Sequence, residues 1–413
     1  MKSMSRSLAL LGATAILVAA CSGGAATPAP TEAPSTAPSA APTDAAPATL
    51  TGKLVLWHSY GSSGGGAEFK AFSRILEQVK AANPGLEIEA LDVPFGDIYK
   101  KFETESAAGG GPDLFIAPND SLGSQARGAF LEVLDGKIDA TVANSTDVSV
   151  AGSKVGGALY MVPESLKAVE MYYDSEKIPT PPATTDELLA AVKGGAKVGL
   201  ITGPYFGWGF YGSFGGKIFD ETGKCAATAN SGVADAMKFV ADLKAAGALV
   251  DADYGKVNDA FKNGEIDAIF NGNWTLGDYK SARPAVQVAP VPAGPGGNGS
   301  PLVGVDGYYI NAASANKDLA IAVAEAMVDQ AAQTIYVDVA GHVPANKSIA
   351  IIDPLVKQFS DAFALGMARP QGEEMNNYWG NFDNAWKEVL DKGTDPATAV
   401  AKACADMDAA NGK

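Results

Sequence analysis

Histidine, cysteine and basic residues are scarce in this chain of 413 residues. The two histidines, His58 and His342, and the three cysteines lack the spacing of a zinc site or a CxxC pair, which argues against zinc enzymes and dithiol redox enzymes. Lysine and arginine number 31 against 47 acidic residues, so the net charge is -16. Because nucleic acids and anionic membrane surfaces attract clustered basic residues, we expect neither as a partner. We also expect no metal and no cofactor.

The first twenty residues are typical of an export signal. Lys2 and Arg6 precede an apolar stretch over residues 8–20, which is too short to span a bilayer stably. Residues 18–21, Val-Ala-Ala-Cys, resemble the bacterial lipobox, whose cysteine is diacylated and becomes the mature N-terminus. The pattern predicts a signal peptide over residues 1–20 and lipidation of Cys21. The alternative is a buried cysteine in an ordinary first helix.

Residues 21–49 have the composition of a tether. After Cys21 nearly every residue is Ala, Pro, Ser, Thr or Gly, and Glu32 and Asp44 are the only charged residues. Such a segment cannot bury enough apolar surface to offset the entropy lost on ordering, and repeated proline keeps it extended. We therefore expect an exported protein that is lipid-anchored to the extracytoplasmic face of the bacterial cell membrane and works beside a protein embedded there.

From residue 53 onward, strand and helix patterns alternate. Residues 53–58 form a short apolar run, typical of a strand buried on both faces. Apolar residues three or four apart predict a helix over 67–82. A strand over 86–93, a helix over 97–108 and a strand over 113–117 follow. This order predicts right-handed crossovers in a doubly wound α/β sheet.

The same alternation restarts at Thr184, which forms a capping-box pattern with Glu187. Further strands are predicted over 197–202 and 265–271, a helix over 230–246, an extended segment over 302–311, and mostly helix from 317 onward. Two domains are expected at this length, and two α/β units fit two lobes. Ligands of open α/β sheets bind beyond the carboxyl ends of the strands, so we expect a site between the lobes.

The loops after the predicted strands are rich in aromatic, amide and carboxylate side chains. They contain residues 58–60, 119–120, 203–208 and 271–274, and residues 377–379 form a similar group in the C-terminal tail. An aromatic face covers the apolar face of a pyranose, while amides and carboxylates bond its hydroxyls, so these loops indicate sugar recognition. Each aromatic residue taken alone is explained as well by core packing, and we assign Trp57 and Trp386 to the core.

Several short motifs occur in the order and spacing of one family. They are GPDLF (111–115), YYD (172–174) before PTPPATTDEL (179–188), GPYFGW (203–208), GEIDAIFNGNW (264–274), VGVDGYYINAA (303–313), and MARP (367–370) before Tyr378 and Trp379. With these motifs the chain, from about residue 53 to its end, resembles the extracellular solute-binding proteins of sugar ABC transporters, in particular maltose- and maltodextrin-binding proteins.

The resemblance implies a two-lobed periplasmic-binding-protein type II fold with a multi-strand hinge. The N-terminal lobe is expected to comprise residues 50–162 and 308–358, and the C-terminal lobe residues 163–307 and 359–413. The resemblance also implies a monomer that captures a sugar, maltose or a malto-oligosaccharide, by hinge closure and delivers it to the membrane permease of an ABC importer without chemical change.

Site residues follow from the resemblance by position. Tyr205 and Phe206 resemble sugar-facing residues of the second lobe, and Trp274 and Trp379 resemble stacking platforms. Asp120 and Glu164 match carboxylates that bond sugar hydroxyls. The remaining predicted contacts are Ser59 and Tyr60, which replace an acidic–basic pair of the family. Ala117 and Gly203 replace a Trp and an acidic residue, so first-lobe contacts to maltose itself are reduced.

Two enzyme interpretations compete with a binding function. Residues 61–65 match the G-x-S-x-G elbow of hydrolases with Ser63 as nucleophile, although a flexible glycine-rich turn also explains them. Asp120 and Glu164 are alternatively the carboxyl pair of a secreted glycosidase. Cys225 and Cys404 both fall in the expected C-terminal lobe, where they form either a disulfide or two free buried thiols. His342 is interpreted as structural.

Overall fold

The computed structural model describes residues 49–61 and 66–413. The predicted signal peptide, Cys21, the linker up to residue 48 and Ser63 lie outside the described residues. No helix within the described part of the chain is both long and apolar enough to cross a membrane.

Strands and helices alternate along most of the described chain. The strands are β1 (Thr51–His58), β2 (Gly85–Asp92), β3 (Leu114–Pro118), β4 (Lys154–Val155), β5 (Ala158–Leu159), β6 (Met161–Lys167), β7 (Val169–Asp174), β8 (Val198–Ile201), β9 (Leu249–Asp251), β10 (Ala268–Gly272), β11 (Val286–Ala289), β12 (Leu302–Ile310), β13 (Val343–Pro344) and β14 (Met367–Ala368).

The helices lie between these strands and at the C-terminal end. They are α1 (Ala67–Ala82), α2 (Phe95–Ala107), α3 (Leu122–Arg127), α4 (Asp139–Asn144), α5 (Asp147–Gly152), α6 (Thr185–Lys193), α7 (Trp208–Ser213), α8 (Gly232–Ala246), α9 (Tyr254–Lys262), α10 (Leu276–Ala282), α11 (Lys317–Met327), α12 (Gln330–Ile335), α13 (Pro354–Phe363), α14 (Glu374–Lys392) and α15 (Pro396–Ala410). A 3₁₀ turn occupies Asn273–Thr275 and a π-helical segment Tyr336–Ala340.

Two separate mixed sheets form the centres of two lobes. The first has the order β13-β6-β12-β3-β1-β2, with β14 paired to β12, and its strands β1, β2 and β3 are parallel. The second has the order β11-β7-β10-β8-β9, with β8 parallel to both neighbours. We call the lobes that contain them the first and second lobe. Parallel neighbours end at the same sheet edge, so the loops after β1, β2 and β3, and those after β8 and β10, gather at two edges.

The chain passes from one sheet to the other at Ala168, over residues 290–301, and after Ala368. Such repeated crossing agrees with a hinge made of several segments. The lobe boundaries expected from the sequence stay a prediction, and β6 belongs to the first sheet along its whole length to Lys167.

Local sequence signals account for many of these elements. The helix predicted over 67–82 is α1, and its residues Phe72, Ile75 and Val79 are buried. Thr184 and Glu187 form the expected capping box at α6. Trp57 and Trp386 are each 2% exposed, which confirms that they belong to the core.

Candidate functional site

Three of the predicted sugar-facing aromatic residues lie together in the second lobe. Tyr205 and Phe206 follow β8, and Trp274 lies in the 3₁₀ turn after β10. The ring centroids of Tyr205 and Trp274 are 6.0 Å apart with an interplanar angle of 29°, and Phe206 meets Trp274 edge-on at 6.3 Å. Because β8 and β10 are parallel neighbours, their carboxyl ends bring these rings to one edge of the sheet.

Tyr254, at the start of α9, was not identified from the sequence. The indole nitrogen of Trp274 donates a hydrogen bond to the Tyr254 hydroxyl at 3.0 Å, and the Tyr254 ring lies 6.1 Å from Phe206. Tyr254 therefore orients Trp274, so that the indole has a fixed position against Tyr205.

Trp379 joins the cluster from α14. Its neighbour Tyr378 is fully buried and donates a hydrogen bond to the carbonyl of Pro204 at 2.8 Å, which attaches α14 to the loop that carries Tyr205. The guanidinium carbon of Arg369 lies 5.1 Å from the ring centroid of Tyr205 and 5.6 Å from that of Trp379. Arg369 thus lies against both rings, in a cation–π arrangement.

Arg369 also connects these rings to the first lobe. Its Nη1 donates to Oδ1 of Asn119 at 3.1 Å and forms an ion pair with Asp120, and both residues follow β3. Burial lowers the pKa of Arg369 to about 10, and its guanidinium stays charged at neutral pH. The structure therefore brings Asp120, Tyr205, Phe206, Trp274 and Trp379 together around Arg369, which belongs to the MARP motif and is not among the site residues predicted from the sequence.

We call these six residues, Asp120, Tyr205, Phe206, Trp274, Arg369 and Trp379, the aromatic cluster. Two of its buried donors, Nε of Arg369 and Nε1 of Trp379, have no hydrogen-bond partner among the described residues. Buried donors are normally satisfied, so these two N–H groups are available to donate to the oxygen atoms of a ligand.

Glu164 lies elsewhere. It is fully buried on β6, where its carboxylate is 3.1 Å from Nδ1 of His342 and accepts a hydrogen bond from Oγ of Ser165 at 2.6 Å. His342 in turn contacts Glu68 and Lys167 through Nε2, at 2.8 and 2.7 Å. The structure does not bring Glu164 to the aromatic cluster, because this buried charge network occupies both of its oxygens. A structural role for His342 agrees with this arrangement.

Tyr60 lies beside the same network. Its ring is 5.5 Å from Phe72 and 6.3 Å from Tyr336, and burial together with the charges of Glu164 and Glu68 raises its pKa. Ser59 is partly buried at the end of β1, next to Tyr60. The structure records no contact of either residue with the aromatic cluster, so their assignment as sugar contacts stays a prediction.

Cys225 and Cys404 form a disulfide, with Cα atoms 5.4 Å apart. The bond attaches the loop before α8 to α15, within the second lobe. Of the two possibilities that the sequence leaves open, the structure contains the bonded one.

Residues 74–364 match the family model described as bacterial extracellular solute-binding protein. The chain belongs to this family. The match covers the second sheet, the first sheet except β1 and β14, and four of the six residues of the aromatic cluster. The fold agrees with it: a two-lobed α/β arrangement in which aromatic side chains follow strands at the sheet edge.

The relatives of this solute-binding protein include several that are named for sugars. It is 26% identical to the maltotriose-binding protein of Pyrococcus abyssi, covering 82% of this chain and 78% of that one. It is 25% identical to the galactooligosaccharide-binding protein of Bacillus subtilis (77% and 81%) and 24% identical to the maltooligosaccharide ABC transporter solute-binding lipoprotein of Streptococcus pneumoniae strain R6 (73% and 76%).

A solved structure with the same fold is the Thermus thermophilus maltotriose binding protein bound with maltotriose. It superposes with a TM-score of 0.79 at 29% identity and covers 87% of this chain and 100% of that one. The two-lobed fold expected from the sequence is confirmed by this similarity.

Proposed function

We propose that this protein is the binding component of an ABC importer, which captures a malto-oligosaccharide between its lobes and delivers it unaltered to a membrane permease. The observation that carries the proposal is the aromatic cluster. The rings of Tyr205 and Trp379 lie against an arginine that is ion-paired to Asp120 of the first lobe, and Trp274 stacks beside Tyr205. Flat rings and charged hydrogen-bonding groups are the combination that a pyranose requires.

The position of Arg369 supports a closure mechanism. A ligand that contacts Asp120 and the rings of the second lobe touches both lobes only when they are closed, so its binding shifts the population toward the closed state. Hinge closure around a ligand is the established behaviour of periplasmic binding proteins. In the ligand complex, sugar hydroxyls would accept hydrogen bonds from Nε of Arg369 and Nε1 of Trp379, the donors that have no partner within the described residues.

Isothermal titration calorimetry with maltose, maltotriose and a galactan trisaccharide tests this function. Trp274→Ala and Trp379→Ala should each weaken binding of the preferred sugar by roughly tenfold or more, because each removes an aromatic platform. Ile352→Ala is the matched control, since Ile352 is 89% exposed, and it should bind as the wild type does. Unchanged affinity in both tryptophan variants would refute the site, and no binding of any glycan would refute the function.

The same incubation separates binding from hydrolysis. A binding protein returns intact maltotriose, whereas a glycosidase or a Ser63 hydrolase releases shorter products that chromatography detects. The solute-binding relatives favour intact return.

We propose that the protein is exported and anchored to the extracytoplasmic face of the cell membrane through lipid on Cys21. The lipobox-like residues 18–21 and the name of the pneumococcal relative support this. Mass spectrometry of the mature N-terminal peptide should find a diacylated Cys21, and Cys21→Ser should move the protein from the membrane fraction to the medium. A soluble wild-type protein with an unmodified cysteine would contradict the anchor.

A further inference from the structure

A buried carboxylate with one unpaired oxygen lies on β12. Asp306 is paired in the sheet with Pro118, the last residue of β3, so it lies directly beside the loop that carries Asn119 and Asp120. Its side chain is 8% exposed, and Oδ2 lies 3.5 Å from Nζ of Lys167. Oδ1 is buried and has no hydrogen-bond partner among the described residues. A buried carboxylate oxygen is rarely left unpaired, so this atom requires an explanation.

The electrostatic surroundings of Asp306 connect it to the aromatic cluster. After burial, the charge of Asp306 is the main cause that raises the pKa of Tyr205, which lies in the second lobe. Burial and Tyr309 raise the pKa of Tyr99, and Asp306 adds to that rise; the Tyr99 hydroxyl donates to the carbonyl of Pro118 at 2.7 Å. Arg369 acts on the same Tyr99 hydroxyl in the opposite direction. The geometry agrees: Gly304, two residues before Asp306 and therefore on the same face of β12, lies against the guanidinium of Arg369, which in turn lies 5.1 Å from the Tyr205 ring.

Lys167 anchors one side of the Asp306 carboxylate. Nζ of Lys167 also donates to Glu68 at 2.7 Å, so the lysine is fixed within the buried network. Burial raises the pKa of Asp306 to about 6 and Lys167 opposes that rise, so the group is ionised at neutral pH. An ionised carboxylate with one fixed and one unpaired oxygen is suited to accept a charge-assisted hydrogen bond from a ligand hydroxyl.

We propose that Asp306 is a sugar-binding residue, whose Oδ1 accepts a hydrogen bond from a hydroxyl of the saccharide unit beside Tyr205. The proposal rests on the proposed function and adds a residue to its site. It gives the first lobe a second carboxylate contact besides Asp120, in a region where Ala117 and Ser59 leave few groups to hold a sugar.

Calorimetry with the preferred oligosaccharide at pH 7.5 tests the role of Asp306. We expect Asp306→Ala to weaken binding by roughly 10- to 100-fold, the range of a hydrogen bond to a charged group. Asp306→Asn keeps the shape but loses the charge, and it should also weaken binding. Asp259→Asn is the control, because Asp259 is 64% exposed on α9. If both Asp306 variants fold, as judged by circular dichroism, and bind like the wild type, the proposal is wrong.

The pH dependence distinguishes a contact from a structural role. Wild-type affinity should fall as the pH drops below about 6 and Asp306 takes up a proton, whereas Asp306→Asn should lack that part of the change. Glu68 on α1, Glu164 on β6 and His342 beside β13 also face Lys167, so the difference between the two proteins isolates Asp306. Parallel pH profiles would contradict the proposal. A wild-type protein that binds no glycan would instead overturn the proposed function.

Discussion

Glu170 is an isolated buried acid, and its removal should stabilise the protein at alkaline pH. The residue lies on β7, is fully buried, and accepts a hydrogen bond from the backbone N–H of Val291 at 2.8 Å through Oε2. Its Oε1 has no partner among the described residues. Burial raises the pKa of Glu170 from 4.5 to about 8, and the Val291 N–H acts weakly in the opposite direction.

The size of the effect follows from these pKa values. A shift of one pKa unit corresponds to about 1.36 kcal/mol, so ionising Glu170 costs about 5 kcal/mol more in the native protein than in the unfolded chain. Because the native pKa is higher than the unfolded one, Glu170 does not reduce the free energy of unfolding below about pH 4.5. As the pH rises above 4.5 the free energy of unfolding falls, and above about pH 8 it levels off. At pH 7 about 3 kcal/mol of this loss is present.

Glu170→Gln removes the titration and keeps an oxygen for the Val291 N–H. We expect this variant and the wild type to have similar free energies of unfolding at pH 5, and the variant to be several kcal/mol more stable at pH 8. Urea denaturation at a series of pH values measures the difference, and Glu89→Gln, an exposed position on β2, is the control. A difference that stays constant between pH 5 and 8 would refute the reasoning, because the other titrating groups are common to both proteins.

Two further outcomes concern the charge network and the disulfide. Burial raises the pKa of Glu68, but Lys167 and His342 outweigh it and lower the pKa from 4.5 to about 2. Glu68→Gln should therefore lower the free energy of unfolding by about 3 kcal/mol at pH 7. The difference from the wild type should shrink as the pH falls toward 2. A loss independent of pH in urea titrations would contradict this. Cys225 and Cys404 are 179 residues apart, so Cys404→Ser should lower the free energy of unfolding by roughly 3–5 kcal/mol. Titration of denatured, unreduced protein should find neither thiol free, and two free thiols would exclude the bond.

Local sequence patterns predicted helices and strands well where one face of the element is apolar and the other is polar. The spacing of Phe69, Phe72, Leu76 and Val79 is sufficient for α1, and the Thr184 capping box is sufficient for the start of α6. The strands β6 and β7 were missed, because they carry Pro163, Glu164, Lys167 and Glu170 and read as polar. Both strands lie inside their sheets, paired on each edge, and are buried along nearly their whole length, which no local pattern encodes.

The site divides in a similar way. Tyr205, Phe206 and Trp274 stood out as aromatic residues directly after predicted strands, and the family motifs added Trp379. Glu164 was assigned by position from the resemblance, yet it lies in the network around His342. Arg369 was part of a family motif but was not predicted to be a site residue. Its contact with the rings of Tyr205 and Trp379 depends on how segments far apart in sequence pack together.

The sequence by itself determined the class of this protein: an α/β chain of the solute-binding family with aromatic loops suited to a sugar. Only the tertiary structure decided which buried polar atoms have a hydrogen-bond partner among the described residues and which have none. Whether a polar atom is paired depends on its burial and on its distance from other polar atoms. Both are fixed only when β6, β12 and the segment around Arg369 pack against one another in the folded chain. A carboxylate held by His342 and one with an open oxygen are the same residue type in a sequence, and their surroundings alone make them different.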